Sequence, residues 1–224
     1  MSASDLFAPI PTAITAFARG DFIIVLDSPS RENEGDLIIL ASALTPAKAA
    51  FMIHHSSGYL CAPMPSSRAD ALGLPSMVAA AANTDPNRTA YTITVDAAEG
   101  VTTGISAVDR STTCKLLAEP GSKEGDFRRP GHIVPLRARD GGVRARQGHT
   151  EAAVEFARLA GLEEEAQVGV IGELVEEGQE VDGAAERTGT GMMRRDGCLA
   201  FGKKYGIPVV TIEGLVEWLE KEER

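Results

Sequence analysis

Two apolar runs near the start of the chain, Asp21–Asp27 (DFIIVLD) and Asp36–Leu40 (DLIIL), are separated by only the eight residues Ser28–Gly35. Each is short, rich in Ile, Leu and Val, and bounded by polar residues, as a buried strand is. A parallel return needs a crossover of about a dozen residues or more, so these two strands are expected to pair antiparallel. Further strand-like runs follow at Tyr59–Ala62, stopped by Pro63, and at Ala90–Asp96, His132–Leu136, Val168–Leu174 and Ile207–Ile212. Helix signals fall between them. Thr45-Pro46 opens a helix running to about His54, Ser66 and Ser67 open a short one ending near Gly73, and Ser106 opens one to about Ala118. Thr150–Ala160 has apolar residues at helical spacing and Gly161 as its stop. A helix near Met192–Tyr205 and an amphipathic one over Gly214–Glu222 complete the pattern. Strands interleaved with helices imply an α/β sheet covered on both faces, mixed in direction.

No internal repeat and no dividing linker is visible, so one domain spanning residues 1–224 is expected. The chain has 43% hydrophobic residues and a mean hydropathy of -0.06, enough to bury a core. No apolar run approaches the roughly 20 residues of a membrane helix. Met1–Pro11 lacks the basic flank and apolar run of a signal peptide. Cys61, Cys114 and Cys198 are odd in number and widely spaced, which argues for a reducing, cytoplasmic setting.

The net charge is -10, which opposes a general nucleic-acid binder. Its distribution is uneven. Arg128–Arg146 holds six Arg and one acid, either a local anion site or solvated loop arginines. Glu163–Arg187 holds nine acids and one Arg, and the Gly-rich part at 176–190 reads as an exposed excursion.

Four segments carry candidate chemistry. Asp27, Arg31, Glu32, Glu34 and Asp36 put four carboxylates into a ten-residue turn, which can wrap a hard divalent cation or simply be a solvated acidic hairpin. Arg146-Gln147-Gly148-His149-Thr150-Glu151 stands at a helix mouth, where free N–H groups and an Arg make an anion cradle. His149 there is either a metal ligand or proton carrier, or a surface residue beside a Thr150 cap. His132 opens a strand and Glu173 lies near the end of one, each structural or functional. Cys61 reads as a small buried hydrophobe and His54-His55 as a helix end.

The segments DSPSRENEGDLIILA, TITVDAAEGVTTGISAVDRSTT, RPGHIVPLRARDGGV and RQGHTEAAVEFARLAGL, in this order, resemble the 3,4-dihydroxy-2-butanone 4-phosphate synthase family. The resemblance runs from about Ile14 to Trp218. It implies a three-layer α-β-α sandwich with a mixed twisted sheet, working as a homodimer with sites near the interface. It also implies an Mg2+- or Mn2+-dependent lyase of riboflavin biosynthesis that takes D-ribulose 5-phosphate to the four-carbon phosphate and formate. Many members carry a fused GTP cyclohydrolase II domain. The length of this chain and its cysteine spacing imply the stand-alone form.

Carried over residue by residue, Glu32 and His149 bind metal. Arg31, Glu32, Asp36, Arg146, Gln147, Gly148, His149, Thr150 and Glu173 contact the sugar phosphate, and His132 and Glu173 are essential for turnover. Asp27, Glu34, Cys61, Asp109 and Thr113 fall at pocket positions. Two departures stand out: Ser28-Pro29-Ser30 replaces an acidic run, and Gln147 stands where Ala or Gly is usual. A metal-dependent pentose-phosphate isomerase or aldolase would use the same residues but release no formate. A nucleotide- or RNA-binding module is opposed by the charge and by the lack of a basic-aromatic stripe.

Overall fold

The computed structural model describes residues 6–222. In chain order the elements are α1 (Ile10–Ala18), β1 (Ile23–Leu26), β2 (Gly35–Leu40), α2 (Pro46–His55), β3 (Cys61–Met64), α3 (Ser66–Ala71), β4 (Val95–Ala97) and α4 (Ala107–Ala118). They continue as β5 (Phe127–Arg137), α5 (Gly142–Ala145), α6 (His149–Leu159), β6 (Gly169–Glu173), α7 (Arg195–Tyr205), β7 (Val209–Thr211) and α8 (Ile212–Glu222). The seven strands form one mixed sheet in the order β4-β5-β3-β6-β2-β1-β7. The first two strands pair antiparallel as their short connection requires, whereas β1–β7 and β3–β5 are parallel.

Alternation along β1 and β2 assigns the two faces. Ile24, Leu26, Leu37 and Ile39 join a cluster with Met52 of α2, Cys114 and Leu117 of α4, and Phe201 of α7. Ile23, Val25, Ile38 and Leu40 join the other, with Phe17 of α1, Phe156 of α6 and Leu215 of α8. The result is the three-layer sandwich, with every residue of β1 and β2 buried. Asp36 shares the α6 face with Ile38, and Gly35 shares the α7 face with Leu37.

Several boundaries differ from the sequence reading for identifiable reasons. The helix α1 was not among the expected elements; Pro9 and Pro11 sit at its N-terminus, where proline is tolerated. Pro63 does not stop β3. Residues facing β5 alternate with residues facing β6, and β6 pairs with β3 only at Cys61, so the N–H that Pro63 lacks has no partner to lose. The polar segment 122–129 is partly strand, since β5 starts at Phe127, with Arg128 exposed and Arg129 donating to backbone carbonyls. The strand expected at Ala90–Asp96 is reduced to β4 and two isolated bridges, Tyr91 to Leu136 and Thr92 to Ser76.

Candidate functional site

The site forms where three elements end together. β1 runs into the acidic turn, β2 leaves it, and the N-terminus of α6 meets it on one face of the sheet. Inside the turn the Asp27 carboxylate is the organising acceptor. Its Oδ2 accepts from Arg31 Nη1 at 2.9 Å and from the Glu32 N–H at 2.9 Å, and its Oδ1 accepts from the Glu34 N–H at 2.9 Å. An Asp satisfied by two backbone amides and an Arg is well held despite its burial. Glu32 is steered from both sides, by Arg31 and by Asn87, whose Nδ2 donates to Glu32 Oε1 at 2.6 Å.

His149 is the first residue of α6 and is buried. Its Nδ1 faces Asp36 Oδ1 at 3.5 Å and Glu32 Oε2 at 3.8 Å. Burial pushes this imidazole down to about 4, with Arg31 and Arg146 adding to that effect and Asp27 opposing it. At neutral pH the ring is therefore neutral and keeps a lone pair, the form that binds metals. One ligand atom each from Asp27, Glu32 and His149 lie within 4.8 Å of one another, the single such grouping among the described residues.

Asp36 is the least comfortable group. Burial, then the negative charges of Glu173, Glu32, Glu34 and Asp27, hold its carboxyl well above the usual range. Its Oδ1 is buried without a hydrogen-bond partner, as is His149 Nε2. An orphaned buried oxygen among carboxylates costs stability, and a cation with oxygen and imidazole ligands would relieve that cost. The donor set fits a hard divalent ion.

Glu173 lies directly across the β2–β6 ladder from Asp36, and Ser57 Oγ donates to its Oε2 at 2.9 Å. Cys61 is near enough that Glu173 and Asp36 add to the burial that pushes its thiol up, so it stays protonated. Arg31, Glu32, Asp36, His149 and Glu173, together with Asp27 and Glu34, are thus assembled in one place.

The helix mouth differs from its sequence reading in one respect. Gly148, not Thr150, caps α6, and Thr150 is buried in the first turn while Gln147 is exposed. Arg146 is already engaged. It donates to Glu151 Oε2 at 2.7 Å, to Thr89 Oγ1 at 3.0 Å and to the Asn87 carbonyl at 3.2 Å. A Cβ on Gly148 would stand 2.3 Å from Arg146 Nη1 and 2.9 Å from Glu151 Oε2, so only glycine lets the guanidinium lie across the cap. The basic segment 128–146 is not one anion site. Arg129 donates to the carbonyls of Glu124, Phe127 and Leu72, and Arg137 to Asp70 and Leu74.

His132 stands apart. Its N–H and Nδ1 meet the two oxygens of Asp96 at 2.9 and 2.8 Å. Three interstrand spacings separate β5 from β2 in the sheet order, roughly 14 Å between backbones. Asp109 and Thr113 serve the structure at that end: Asp109 accepts from the N–H and hydroxyl of Thr102 and from the Gly104 N–H, and Thr113 bridges Asp109 to Ala97. Asn87, Glu151, Ser57 and Arg194, which all touch the site, were missed. Glu151 lay inside a motif whose chemistry was read from its neighbours, and the others act across 55 to 162 residues with no local signal.

The chain is similar to known proteins over nearly its whole length. The family model for 3,4-dihydroxy-2-butanone 4-phosphate synthase matches residues 11–218. The Pyricularia oryzae protein of that name is 53% identical over 97% of this chain and 91% of its own length, and the Saccharomyces cerevisiae one is 50% identical over 96% and 100%. A crystal structure of 3,4-dihydroxy-2-butanone 4-phosphate synthase in complex with two magnesium ions superposes with a TM-score of 0.93 at 53% identity, covering 97% of this chain and 99% of that one.

Proposed function

The chain belongs to the 3,4-dihydroxy-2-butanone 4-phosphate synthase family, and from that premise we propose that it converts D-ribulose 5-phosphate to L-3,4-dihydroxy-2-butanone 4-phosphate and formate. It does so as a Mg2+- or Mn2+-dependent lyase of riboflavin biosynthesis. The observation that carries this reading is the convergence of Asp27, Glu32 and His149 beside the partnerless Asp36 oxygen. Glu32 and His149 would hold the cation. When bound, it supplies Lewis-acid stabilisation of negative charge on adjacent substrate oxygens.

The remaining work falls to the side chains. Removing the proton between a hydroxyl and a carbonyl carbon, losing a hydroxyl, shifting the carbon skeleton and expelling C4 as formate require several proton transfers. Asp36, held above the ordinary carboxylate range by burial and its acidic neighbours, is the first proton-exchange group. Glu173 faces it across the ladder as the second exchange group. Arg31 and Arg146, with the backbone N–H groups of His149 and Thr150, the Gly148 cap and the exposed Gln147, orient the phosphorylated chain. His132, kept in register by Asp96, is the outlying proton carrier.

The protein works as a homodimer with sites near the interface. Exposed Ile105, Val108 and Tyr59 supply an apolar face on the His132 side, where Ile105 follows the Gly104 that packs on the His132–Asp96 pair. Three buried free thiols, and no described helix long and apolar enough to cross a membrane, suit a single-domain cytoplasmic enzyme without nucleic-acid or membrane partners. The direct test is incubation with D-ribulose 5-phosphate and Mg2+. Stoichiometric formate with the four-carbon phosphate supports the reading. Turnover without formate would leave an isomerase or aldolase.

A further inference from the structure

The acidic turn is held from the inside by Asp27, which accepts from the N–H groups of Glu32 and Glu34. Its outward carbonyls are a separate matter. Those of Glu32 and Asn33 both accept from Arg194 Nη1, each at 2.7 Å, and Glu34 Oε1 lies 3.8 Å from the same nitrogen. Arg194 is the N-cap residue of α7, on the sheet face opposite α6. Asn33, between the two acids, has φ +56, the left-handed conformation that asparagine adopts more readily than other non-glycine residues. A second contact ties the same helix to the same turn. A Cβ on Gly35 would stand 2.4 Å from Cys198 Sγ, so α7 abuts the start of β2 with no room to spare. The turn is thus gripped between α6 and the N-terminus of α7.

We propose that Arg194 is a positioning residue for the cation site: by fixing the crest carbonyls it sets the Glu32 carboxylate against His149. This rests on the cation reading of the site. It makes a prediction of unusual sign. Arg194 is a positive charge beside an acidic cluster, so on Coulomb's law alone its removal tightens cation binding. The clamp requires the reverse, because a ligand freed from its support binds metal about 10- to 100-fold more weakly.

The test is titration of the full chain with Mn2+, reading free Mn2+ by electron paramagnetic resonance, for wild type, Arg194→Gln, Arg194→Lys and Arg195→Gln. Arg195 carries the same charge one residue on but pairs only with Asp196, and reports the purely electrostatic effect. Arg194 is half exposed, so its thermal midpoint is expected to change little. The account expects Arg194→Gln to weaken Mn2+ at least 10-fold, Arg194→Lys to recover part of that, and Arg195→Gln to stay within twofold. Equal or tighter binding by Arg194→Gln overturns the clamp while leaving the cation site in place. A wild-type chain that binds no Mn2+ overturns the cation reading itself. If Arg194→Gln does not fold, wild-type affinity in a folded Arg194→Lys likewise counts against the clamp.

Discussion

Residues 27–36 hold four carboxylates in ten positions and residues 176–190 hold five in fifteen, yet the two segments meet opposite fates. The second is a hairpin-like excursion bridged at Val175–Met192 and Glu180–Arg187. Its acids lie in water beside cations: Glu180 is 3.6 Å from Arg187 and Glu177 is 2.7 Å from Lys204, all substantially exposed. The first turns inward. Asp27 and Asp36 are buried, Asp36 faces Glu173 across the ladder, and an oxygen is left without a partner. Acid density is the same kind of signal in both. The site is made by what surrounds the acids, namely two strands that force them together and a neutral imidazole that offers a lone pair.

The largest effect expected from this contrast is on Glu32. Glu32→Gln keeps one of the two acceptor oxygens that Arg31 and Asn87 use and loses the charge, and divalent-metal-dependent turnover should fall to background in a formate assay with the fold intact by circular dichroism. His132→Asn asks whether the chemistry extends beyond the acidic turn. It retains a hydrogen bond to Asp96 but cannot carry a proton near neutrality, so kcat should fall about 100- to 10,000-fold with KM nearly unchanged. A destabilised variant of near-normal kcat would make His132 structural and confine the site to the turn.

A smaller effect is thermodynamic. His149 is held near 4 in the folded chain, whereas an unfolded imidazole titrates near about 6.5. Between those values the unfolded state binds more protons, so metal-free stability falls as pH drops from about 6.5 towards 4. Asp36, shifted upward, contributes in the opposite sense. The His149 part is therefore read as the difference in denaturant midpoint between wild type and His149→Asn, which should shrink over that window. The smallest effect belongs to the hairpin: Glu177→Gln and Glu180→Gln should leave turnover unchanged and move stability by no more than about 0.5 kcal/mol.

Much of the architecture is legible in the chain because its signals are local. The eight-residue connection between the first two strands dictates their pairing, and Thr45 and Ser106 cap helices as their positions imply. What escaped is non-local or disguised. The prolines around α1 hide a helix behind a tail-like composition, and the charged start of β5 hides a strand whose outward residues meet water. The site shows the same division. Glu32, Asp36 and His149 stand in motifs that the family resemblance makes readable. Glu173 joins them only because β6 lies beside β2, and Asn87 and Arg194 only because the chain returns to the turn from 55 and 162 residues away. Acid density alone does not separate the two acidic segments; it is the Gly-rich composition of 176–190 that reads as an exposed excursion, and the segment is one.

The central claim is that the inward acidic turn is strained for want of a cation that Glu32 and His149 hold. Thermal midpoints of wild type and Glu32→Gln, each with and without Mg2+, test it most directly. Without the ion, Glu32→Gln relieves one of the charges crowding Asp36 but weakens the bond to Arg31 or Asn87, so its midpoint should stay near that of the wild type. With Mg2+ at about a hundredfold excess over Kd, the wild type should rise by about 5 °C or more and Glu32→Gln should barely move. An equal Mg2+-induced rise in both proteins, or no rise in the wild type, would contradict the account.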